Sequence, residues 1–395
     1  MVNEEQKKEV VQLCRELIRR RSYSGQEAGA ADALADFMRG KGFDEVFIDR
    51  YGSVVGSVRG KRPGPGILFD GHIDTVPVVD VHGWKHDPFG GEAADGRIYG
   101  RGASDMKGAT AAMACAAANF AKATGRDFAG TVHVAGVVFE ELFEGVAARE
   151  ISARVKPEFV VIGEASELNL KIGQRGRAEI VLETAGVPAH SANPEKGVNA
   201  VHAMIKLIAE VERIVPGRQP VLGKGVSVLT DIISTPYPGA SVVPSGCRVT
   251  YDRRLLVGET REAVIAPYRE AAERLAAADP AFRGTASFAR GKEKCHTGDS
   301  IEGERFFPGW LFGADAEFVR KALAGLRSVG LEPEISHYSF CTNGSHYAGE
   351  AGIKTLGFGP SRENLAHTTD EYIEETQLYA ALDGYQAISK ALLEA

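Results

Sequence analysis

Residues 67–77 read Ile67-Leu-Phe-Asp-Gly-His72-Ile-Asp74-Thr-Val-Pro77, a β-strand pattern that runs into a turn. Residues two apart on a strand point to the same side, so His72 and Asp74 are expected to face together. The pattern fits a site in which one ring nitrogen of His72 binds a metal ion and the Asp74 carboxylate holds the other nitrogen. Ordinary hydrogen-bonded turns have the same spacing, so a metal site needs support from elsewhere in the chain.

Strand and helix patterns alternate on both sides of this segment. Strands are predicted at 45–49 and 53–59, and an alanine-rich helix at about 106–123. The nearly all-apolar run 131–139 is typical of a central strand that is covered on both faces. The alternation predicts an α/β fold with helices on both sides of a sheet.

The sequence pattern changes near Gly173. From 178 to 295 the predicted order is β-α-β-β-α-β, which matches a ferredoxin-like α+β sandwich. After this segment the α/β pattern resumes, so we expect an inserted domain. The predicted boundaries are 1–177 for the first part of the α/β domain, 178–295 for the inserted domain, and 296–395 for the second part.

Composition excludes several classes of function. The chain has 395 residues and a net charge of -7, which does not favour nucleic-acid binding. No apolar stretch approaches the roughly 20 residues that span a bilayer, so no membrane partner is expected. The charged start leads into an amphipathic helix, unlike a signal peptide. Five scattered cysteines without a Cys-x-x-Cys pair predict free thiols in a cytoplasmic protein.

Polar residues follow apolar or glycine-rich segments at four further places. In open α/β sheets, sites form beyond the carboxyl ends of the strands. Three of these places also have a structural interpretation: Asp105 as a helix N-cap, the adjacent glutamates as a solvated loop, and the histidine as a structural residue. The candidates are Asp105, Glu140 with Glu141, Glu164, and His367.

Taken together, these residues suit two divalent metal ions. Imidazole and carboxylate ligands favour zinc, with cobalt or manganese as alternatives. A bridging carboxylate holds two ions roughly 3.5–4 Å apart in such sites, where a water molecule is activated. The set leaves Glu140 as a general base for that water. The expected ligands are His72, Asp105, Glu141, Glu164 and His367.

These motifs resemble those of the M20 peptidase family of dinuclear metallohydrolases, the group of acetylornithine deacetylase, succinyl-diaminopimelate desuccinylase and carboxypeptidase G2. The resemblance runs from residue 5 to the C-terminus, and the tail 340–367 is most similar to the selenium-metabolism-linked hydrolases. It implies a zinc-peptidase-like α/β catalytic domain with an inserted lid and dimerisation domain. The matching motifs are Gly71–Pro77, Gly100–Gly108, Glu140-Glu141, Gly163–Ser166 and Ala366–Thr368.

The resemblance also implies a role for each residue of the site. Asp105 would bridge the two metals. His72 and Glu164 would complete one metal site, and Glu141 and His367 the other. Asp74 would orient His72, and Glu140 would be the general base.

Further implied residues concern the substrate. His190 matches a lid-loop histidine that stabilises the oxyanion, although a surface-loop histidine is the alternative. Arg254 matches a carboxylate-binding position, but Ser241 stands where many relatives carry Asn. Substrate contacts are also expected at Asn343, Gly344 and Ser345, where this chain departs from the Ser-Asp pairing that is more usual after the glycine.

The expected function is therefore that of a homodimeric two-metal amidohydrolase acting on a small N-acyl or N-carbamoyl amino acid. A metallo-dipeptidase or aminopeptidase is the alternative enzyme, and it would need an acidic group for the free α-amine of a dipeptide-like substrate. A non-catalytic metal-binding or ligand-binding relative is the alternative outside enzymes. Such a binder would not need Glu140.

Overall fold

The computed structural model describes residues 2–393, and this range contains eight α-helices. The helices are α1 (Glu4–Arg19), α2 (Ala28–Gly40), α3 (Gly108–Thr124), α4 (Ala148–Val155), α5 (Ala200–Val211), α6 (Arg261–Ala278), α7 (Glu317–Ser328) and α8 (Glu375–Leu393). No helix in the described part of the chain is both long and apolar enough to cross a membrane.

The strands vary from two to eleven residues in length. They are β1 (Glu45–Ile48), β2 (Val54–Arg59), β3 (Arg62–His72), β4 (Glu92–Ala94), β5 (Arg97–Tyr99), β6 (Ala129–Val137), β7 (Phe159–Ile162), β8 (Leu170–Gln174), β9 (Gly176–Ala185), β10 (Arg218–Gln219), β11 (Gly223–Lys224), β12 (Val226–Thr235), β13 (Gly246–Leu255), β14 (Gly284–Phe288), β15 (Arg290–Lys294), β16 (Ser300–Glu304), β17 (Phe306–Phe307), β18 (Trp310–Leu311), β19 (Ile335–Tyr338), β20 (Lys354–Gly357) and β21 (Tyr372–Glu374).

The chain divides into two compact units. The first takes in the chain up to Gln174, Lys292–Gly303, and the chain from Trp310 onward. The second takes in Arg175–Gly291 and Glu304–Gly309, because β17 pairs with β9. The sequence analysis predicts that residues 178–295 fold as a separate inserted domain. These boundaries, 177/178 and 295/296, stay a prediction.

The first unit is built on a sheet with the order β1-β2-β6-β3-β7-β20-β8-β18, with β19 beside β8. Strands β6, β3, β7 and β20 are mutually parallel. Their register is level at the carboxyl ends, because His72 pairs with Val137, and Ile162 pairs with both Asp70 and Gly357. The residues that follow these strands therefore leave the sheet along one edge, where sites form in α/β folds.

Helix α3 follows the glycine-rich turn 100–108 directly, and both belong to the first unit. Its alanine side chains are buried almost throughout, and it packs against α1 and α8. Small side chains allow this close approach between helices, and a helix that is apolar all round is expected to be buried. The alanine-rich pattern thus marks an internal helix.

A small sheet of the first unit was not predicted from the sequence. Strands β21, β5 and β4 pair in that order, and each has three residues. Three residues are too few to show an alternation of polar and apolar side chains. This sheet joins the segment before the glycine-rich turn to the segment after His367.

The second unit has the antiparallel sheet order β12-β13-β9-β14. With α5 after β9 and α6 after β13, this is the β-α-β-β-α-β arrangement predicted for 178–295. Its core includes Leu182, Met204, Val249 and Tyr268, all buried. The predicted fold class, an α/β domain with an inserted α+β domain, is confirmed.

Candidate metal centre

His72 is the last residue of β3, and its side chain is 1% exposed. Its Nδ1 donates a hydrogen bond to the backbone carbonyl of Asp74 at 2.9 Å. Its Nε2 lies 2.9 Å from Asp105 Oδ1 and 3.5 Å from Glu164 Oε1. Since Nδ1 carries a proton for the carbonyl, a neutral ring directs the lone pair of Nε2 at the carboxylates. Nε2 is therefore the atom that is placed to bind a cation.

Asp105 lies between the two histidines. Its Oδ1 is 2.9 Å from His72 Nε2, and its Oδ2 is 3.1 Å from His367 Nε2. The N-cap interpretation of Asp105 is wrong, because α3 begins at Gly108, its N-cap is Lys107, and no side chain caps the helix. The carboxylate faces the histidines instead, one oxygen to each, which is the placement that a bridging ligand needs.

The remaining predicted ligands join the same cluster. His367 Nε2 is 3.2 Å from Glu141 Oε2. Two groups of side chains have ligand atoms within 4.8 Å of one another, and His72 belongs to both. The first group is His72, Glu140 and Glu164, and the second is His72, Asp105 and Glu141. The structure thus brings together all the residues that the sequence predicted as ligands, and it adds Glu140 to the first group.

The histidines carry protons readily in this cluster. Burial opposes the charge of His72, yet its hydrogen bond to Asp105 and the nearby Glu164 carboxylate raise its pKa well above the usual value. Hydrogen bonds to Asp105 and Glu141 raise the pKa of His367 to about 10. Without a metal, the protons on the two rings offset the negative charge of the carboxylates.

The pKa values of the carboxylates in this cluster are shifted in opposite directions. Burial acts to raise the pKa of Asp105, but hydrogen bonds from His367 and His72 hold it well below the usual value. Burial raises the pKa of Glu140 well above its usual value, and the nearby charge of Glu164 adds to this shift. For Glu164, burial and the charge of Asp105 act in the same direction. Such opposed shifts within one cluster are typical of functional sites.

The residues present fit a pair of divalent cations. Two imidazole nitrogens and four carboxylates converge, and three of these six side chains, those of His72, Glu140 and Glu164, are buried. Oε1 of Glu140 is buried and has no hydrogen-bond partner. A buried carboxylate oxygen without a partner is costly, and a cation or a water molecule held by cations would satisfy it. Histidine with carboxylate is a donor set that zinc accepts.

Asp74 supports the site in a different way from the one expected. Its carboxylate oxygen is 3.6 Å from His72 Nδ1, so the backbone carbonyl makes the hydrogen bond to the ring instead. The carboxylate accepts hydrogen bonds from the amides of Glu140 at 3.1 Å and Glu141 at 3.2 Å, and from Ser24 Oγ at 2.8 Å. Burial raises the pKa of Asp74 to about 7. Asp74 therefore fixes the backbone of the glutamate pair.

The loop that carries the glutamate pair begins with a residue in an unusual conformation. Phe139 has φ +58°, in the left-handed region that non-glycine residues rarely adopt. This conformation turns the next two amides toward Asp74, and consecutive amides of this kind form a cradle for a carboxylate. The strain at Phe139 is thus compensated at the site itself.

The predicted substrate contacts after β19 are buried. Asn343 Nδ2 donates to Asp70 Oδ1 at 3.0 Å, and Asn343 Oδ1 accepts from the amide of Gly145 at 2.8 Å. The amide of Gly344 donates to Thr342 Oγ1, and Ser345 is 1% exposed. Asn343 thus has a structural role, and substrate contacts at these three positions stay a prediction.

His190 and Arg254 belong to the second unit. His190 is exposed, and its Nδ1 accepts a hydrogen bond from the amide of Ala192 at 3.0 Å. Arg254 lies on β13 and forms an ion pair from Nε to Asp252 Oδ1 at 2.8 Å. Ser241 has φ +54°. The roles of His190 and Arg254 stay predictions.

Two supporting residues were missed in the sequence. Ser24 lies in the turn between α1 and α2, and its hydroxyl reaches Asp74 from fifty residues away. Glu371 lies four residues after His367 and is fully buried. The only sequence signal was that Glu371 stands in the same polar segment as His367, whereas nothing in the sequence marks Ser24.

Comparisons with known proteins show the family of this chain. Residues 68–391 match the family described as Peptidase family M20/M25/M40. The protein YgeY of Escherichia coli (strain K12) is 33% identical over 387 residues, which cover 96% of this chain and 93% of YgeY. A succinyl-diaminopimelate desuccinylase of Cereibacter sphaeroides is 30% identical over 383 residues, which cover 93% of this chain and 94% of the relative.

Solved structures show the same fold. An M20 family metallo-carboxypeptidase from Sulfolobus solfataricus aligns with a TM-score of 0.76 at 16% identity, over 97% of this chain and 99% of that one. The aminopeptidase PepT from Bacillus cereus aligns with a TM-score of 0.74 at 21% identity, over 98% of both chains. Fold, site and relatives together define a hydrolytic enzyme, as predicted. The chain belongs to peptidase family M20/M25/M40.

Proposed function

We propose that this protein is a two-metal amidohydrolase that cleaves the C–N bond of a small N-acyl or N-carbamoyl amino acid. The observation that carries the proposal is the Asp105 carboxylate, whose two oxygens face two different histidines within 3.1 Å. His72 with Glu164 would hold one ion, and His367 with Glu141 the other. Bound cations of this kind polarise a carbonyl group and lower the pKa of a water molecule. Zinc is the metal that this ligand set favours.

Glu140 is the proposed general base. Its side chain is buried beside the ligands, and one of its oxygens has no hydrogen-bond partner. As a carboxylate it would take a proton from the attacking water and return it to the leaving nitrogen. The C–N bond breaks as the water oxygen bonds to the carbonyl carbon and the nitrogen takes up the proton, which gives a free amine with a carboxylic acid from an acyl group or a carbamic acid from a carbamoyl group. Burial raises the pKa of Glu140, which strengthens it as a base.

The second unit supplies two proposed contacts. His190 would steady the negative charge that develops on the carbonyl oxygen, since an exposed imidazole can donate a hydrogen bond. Arg254 would bind the substrate carboxylate. Its guanidinium is already oriented by Asp252, and it has further N–H groups to offer.

The acyl amino acid is favoured over a dipeptide by one group of relatives at 30% identity or more, those named succinyl-diaminopimelate desuccinylase. That name describes the removal of a succinyl group from an amino acid. The two solved peptidase structures described above share 21% and 16% identity with this chain and support the fold alone. A cytoplasmic location also belongs to the proposal.

We also propose that the protein is a homodimer, formed through the second unit. Among the described residues, β12 lies at one end of its sheet and pairs with β13 on one side. Val228, Ile232 and Ile233 on this strand are about half exposed. A long apolar edge strand invites pairing with another strand, and a second copy of β12 can pair with it antiparallel.

The test of the proposed function is a substrate panel. Purified protein is stripped with a chelator and then reconstituted separately with zinc, cobalt and manganese. N-acetyl, N-succinyl and N-carbamoyl amino acids are offered beside dipeptides, and the release of free amine is measured. We expect metal-dependent turnover of one N-substituted class. Turnover of dipeptides alone would favour the dipeptidase, and a metal-loaded protein that is inert on the whole panel would contradict the proposal.

A further inference from the structure

Glu371 is a buried carboxylate behind the metal centre, with 0% exposure. Its Oε1 accepts hydrogen bonds from three backbone amides, those of Gly102 at 3.1 Å, Ser104 at 2.8 Å and Asp105 at 3.0 Å. Its Oε2 accepts a hydrogen bond from Arg101 Nη1 at 2.6 Å. One carboxylate thus collects four donors from five consecutive residues of the turn that carries Asp105.

The backbone of this turn needs such an acceptor. Residues 103–107 form a single helical turn, but at Asp105 the chain leaves the helical conformation, with φ -127° and ψ 91°. Amides at the start of a helix lack partners within the helix, and buried amides must find partners elsewhere. Glu371 supplies the acceptor for three of them.

The same residue ties this turn to the segment that carries His367. The carbonyl of Glu371 accepts a hydrogen bond from the amide of Gly100 at 2.8 Å, and the next residue, Tyr372, pairs with Tyr99. Arg101 is held in turn, because its guanidinium lies 5.3 Å from the centre of the Trp84 ring. The turn that carries Asp105 and the segment that carries His367 are therefore held together by residues that are not proposed metal ligands.

We propose that Glu371 is a positioning residue of the metal centre, which holds the backbone of 102–105 so that Asp105 keeps one oxygen on each histidine. The inference rests on the proposed function, since it needs the metal centre. Asp105 is reached by His72 from β3 and by His367 from the segment before β21. Glu371 joins the second of these segments to the turn of Asp105, so its loss changes the geometry between two ligands.

A purely structural carboxylate of the same kind is available as a matched control. Asp49 Oδ1 accepts hydrogen bonds from the amides of Tyr51, Gly52 and Ser53, each at 2.9 Å. The number and type of donors are the same as at Glu371 Oε1. None of these residues is a proposed metal ligand, so Asp49→Asn reports what the loss of such a carboxylate does to stability alone.

The experiment measures zinc affinity in Glu371→Gln, Asp49→Asn and the wild-type protein. Each is stripped of metal, and zinc is titrated against a chromogenic chelator, with thermal unfolding of the metal-free protein recorded in parallel. We expect Glu371→Gln to weaken zinc binding by about 10–100-fold, the size typical of residues that orient metal ligands. Asp49→Asn should lower the unfolding temperature and leave zinc affinity within about threefold of the wild type, because it orients no ligand.

A further variant keeps the proposal testable if Glu371→Gln does not fold. Glu371→Asp retains the charge but is one methylene shorter, so it cannot reach all of its donors, and we expect a smaller loss of zinc affinity in the same direction. Wild-type zinc affinity in the Glu371 variants, or an equal loss of affinity in Asp49→Asn, would overturn the positioning role while the proposed function stands. A wild-type protein that binds no divalent metal would overturn the proposed function itself, and the positioning role with it.

Discussion

At the scale of single residues, Glu140 is distinguished by its unpartnered buried oxygen. Replacing it by glutamine keeps the shape of the side chain but removes the proton acceptor. We expect kcat to fall by about 10²–10⁴-fold, the usual contribution of a general base, with metal content unchanged. Steady-state kinetics and elemental analysis of the purified variant check this.

The metal content also decides between two roles for Glu140. Glu140 belongs to one of the two ligand groups, together with His72 and Glu164. Loss of one metal ion from Glu140→Gln would make it a ligand, and undiminished turnover in Glu140→Ala would remove it from the reaction altogether.

Ser24 gives a second prediction for a single residue. Its hydroxyl donates to Asp74 at 2.8 Å, and Asp74 holds the amides of the glutamate pair. Ser24→Ala should lower the free energy of unfolding by about 1–2 kcal/mol, typical of a lost hydrogen bond to a carboxylate. It should also lower kcat, because the loop of Glu140 is held less firmly. Urea unfolding and kinetics measure the two effects.

Ser22→Ala is the matched control for Ser24→Ala. Ser22 Oγ donates to the carbonyl of Ile73 at 2.6 Å, in the same turn but away from the Asp74 carboxylate. We expect a comparable loss of stability with kcat unchanged, and recovery of kcat in Ser24→Thr. Equal loss of kcat in both alanine variants would show that Ser24 acts through general stability alone.

At the scale of elements, the sequence predicts those parts that have long, regular patterns. The apolar run of β3 ending at His72 is predictable because a strand of parallel type is buried on both faces. The level ends of β3, β6 and β7 then bring His72, Glu140 and Glu164 to one edge. Ligands that follow these strand ends are accessible to sequence reasoning, whereas Asp105 lies in the turn before α3 and His367 in the segment before β21.

The contacts that support the ligands are not predictable in the same way. Asp74 was expected to hold the ring of His72, but a two-residue offset does not say whether carboxylate or carbonyl meets the ring. Glu371 and Ser24 act across long separations in the chain, through backbone amides or a single hydroxyl. Such hydrogen bonds leave no periodic signal in the sequence. A polar turn residue that makes such a contact cannot be distinguished there from one that does not.

Asn343 connects three elements and yields a prediction at this scale. It bonds Asp70 on β3 and the amide of Gly145 before α4, while Tyr347 OH donates to the other oxygen of Asp70. Asn343→Ala should lower the free energy of unfolding by about 2–3 kcal/mol, because it leaves buried polar groups without partners. A purely structural role of Asn343 leaves KM unchanged in this variant. A raised KM with normal stability would instead support the substrate contact predicted from the sequence.

At the scale of the whole molecule, His133 makes stability depend on pH. It is buried on β6, where Ser57 Oγ lies 2.8 Å from its Nδ1. Burial and the charge of Arg59 lower its pKa to about 4, with Glu45 opposing the shift. The unfolded chain takes up this proton near pH 6.5, whereas the folded protein does so near pH 4. The contribution of the neutral His133 to the free energy of unfolding is therefore complete above pH 6.5 and is lost as the pH falls to 4.

His133→Gln removes this dependence. Between pH 6.5 and 4 the wild type should lose up to about 3 kcal/mol more unfolding free energy than the variant, from the size of the shift. Urea unfolding at pH 7, 5.5 and 4.5 measures the difference, and His82→Gln, at an exposed position, is the control. Parallel pH profiles for His133→Gln and the wild type would contradict a neutral buried His133.

The proposed homodimer is tested at the edge strand β12. Ile232 is 53% exposed on this strand, and a lysine there places a charge beside the unpaired backbone groups of the edge. Ile232→Lys should therefore convert the dimer to a monomer at micromolar concentration in sedimentation velocity experiments. Ile205→Lys is the control, because Ile205 is 57% exposed but lies on α5.

Both interface variants keep every residue of the metal centre. Loss of the dimer in Ile232→Lys with normal zinc binding would separate assembly from the site, and a loss of turnover in that monomer would show that catalysis needs both copies. A dimer that persists in Ile232→Lys would move the interface away from β12. A wild-type protein that sediments as a monomer would contradict the homodimer, and the exposed apolar side chains of β12 would then need another partner.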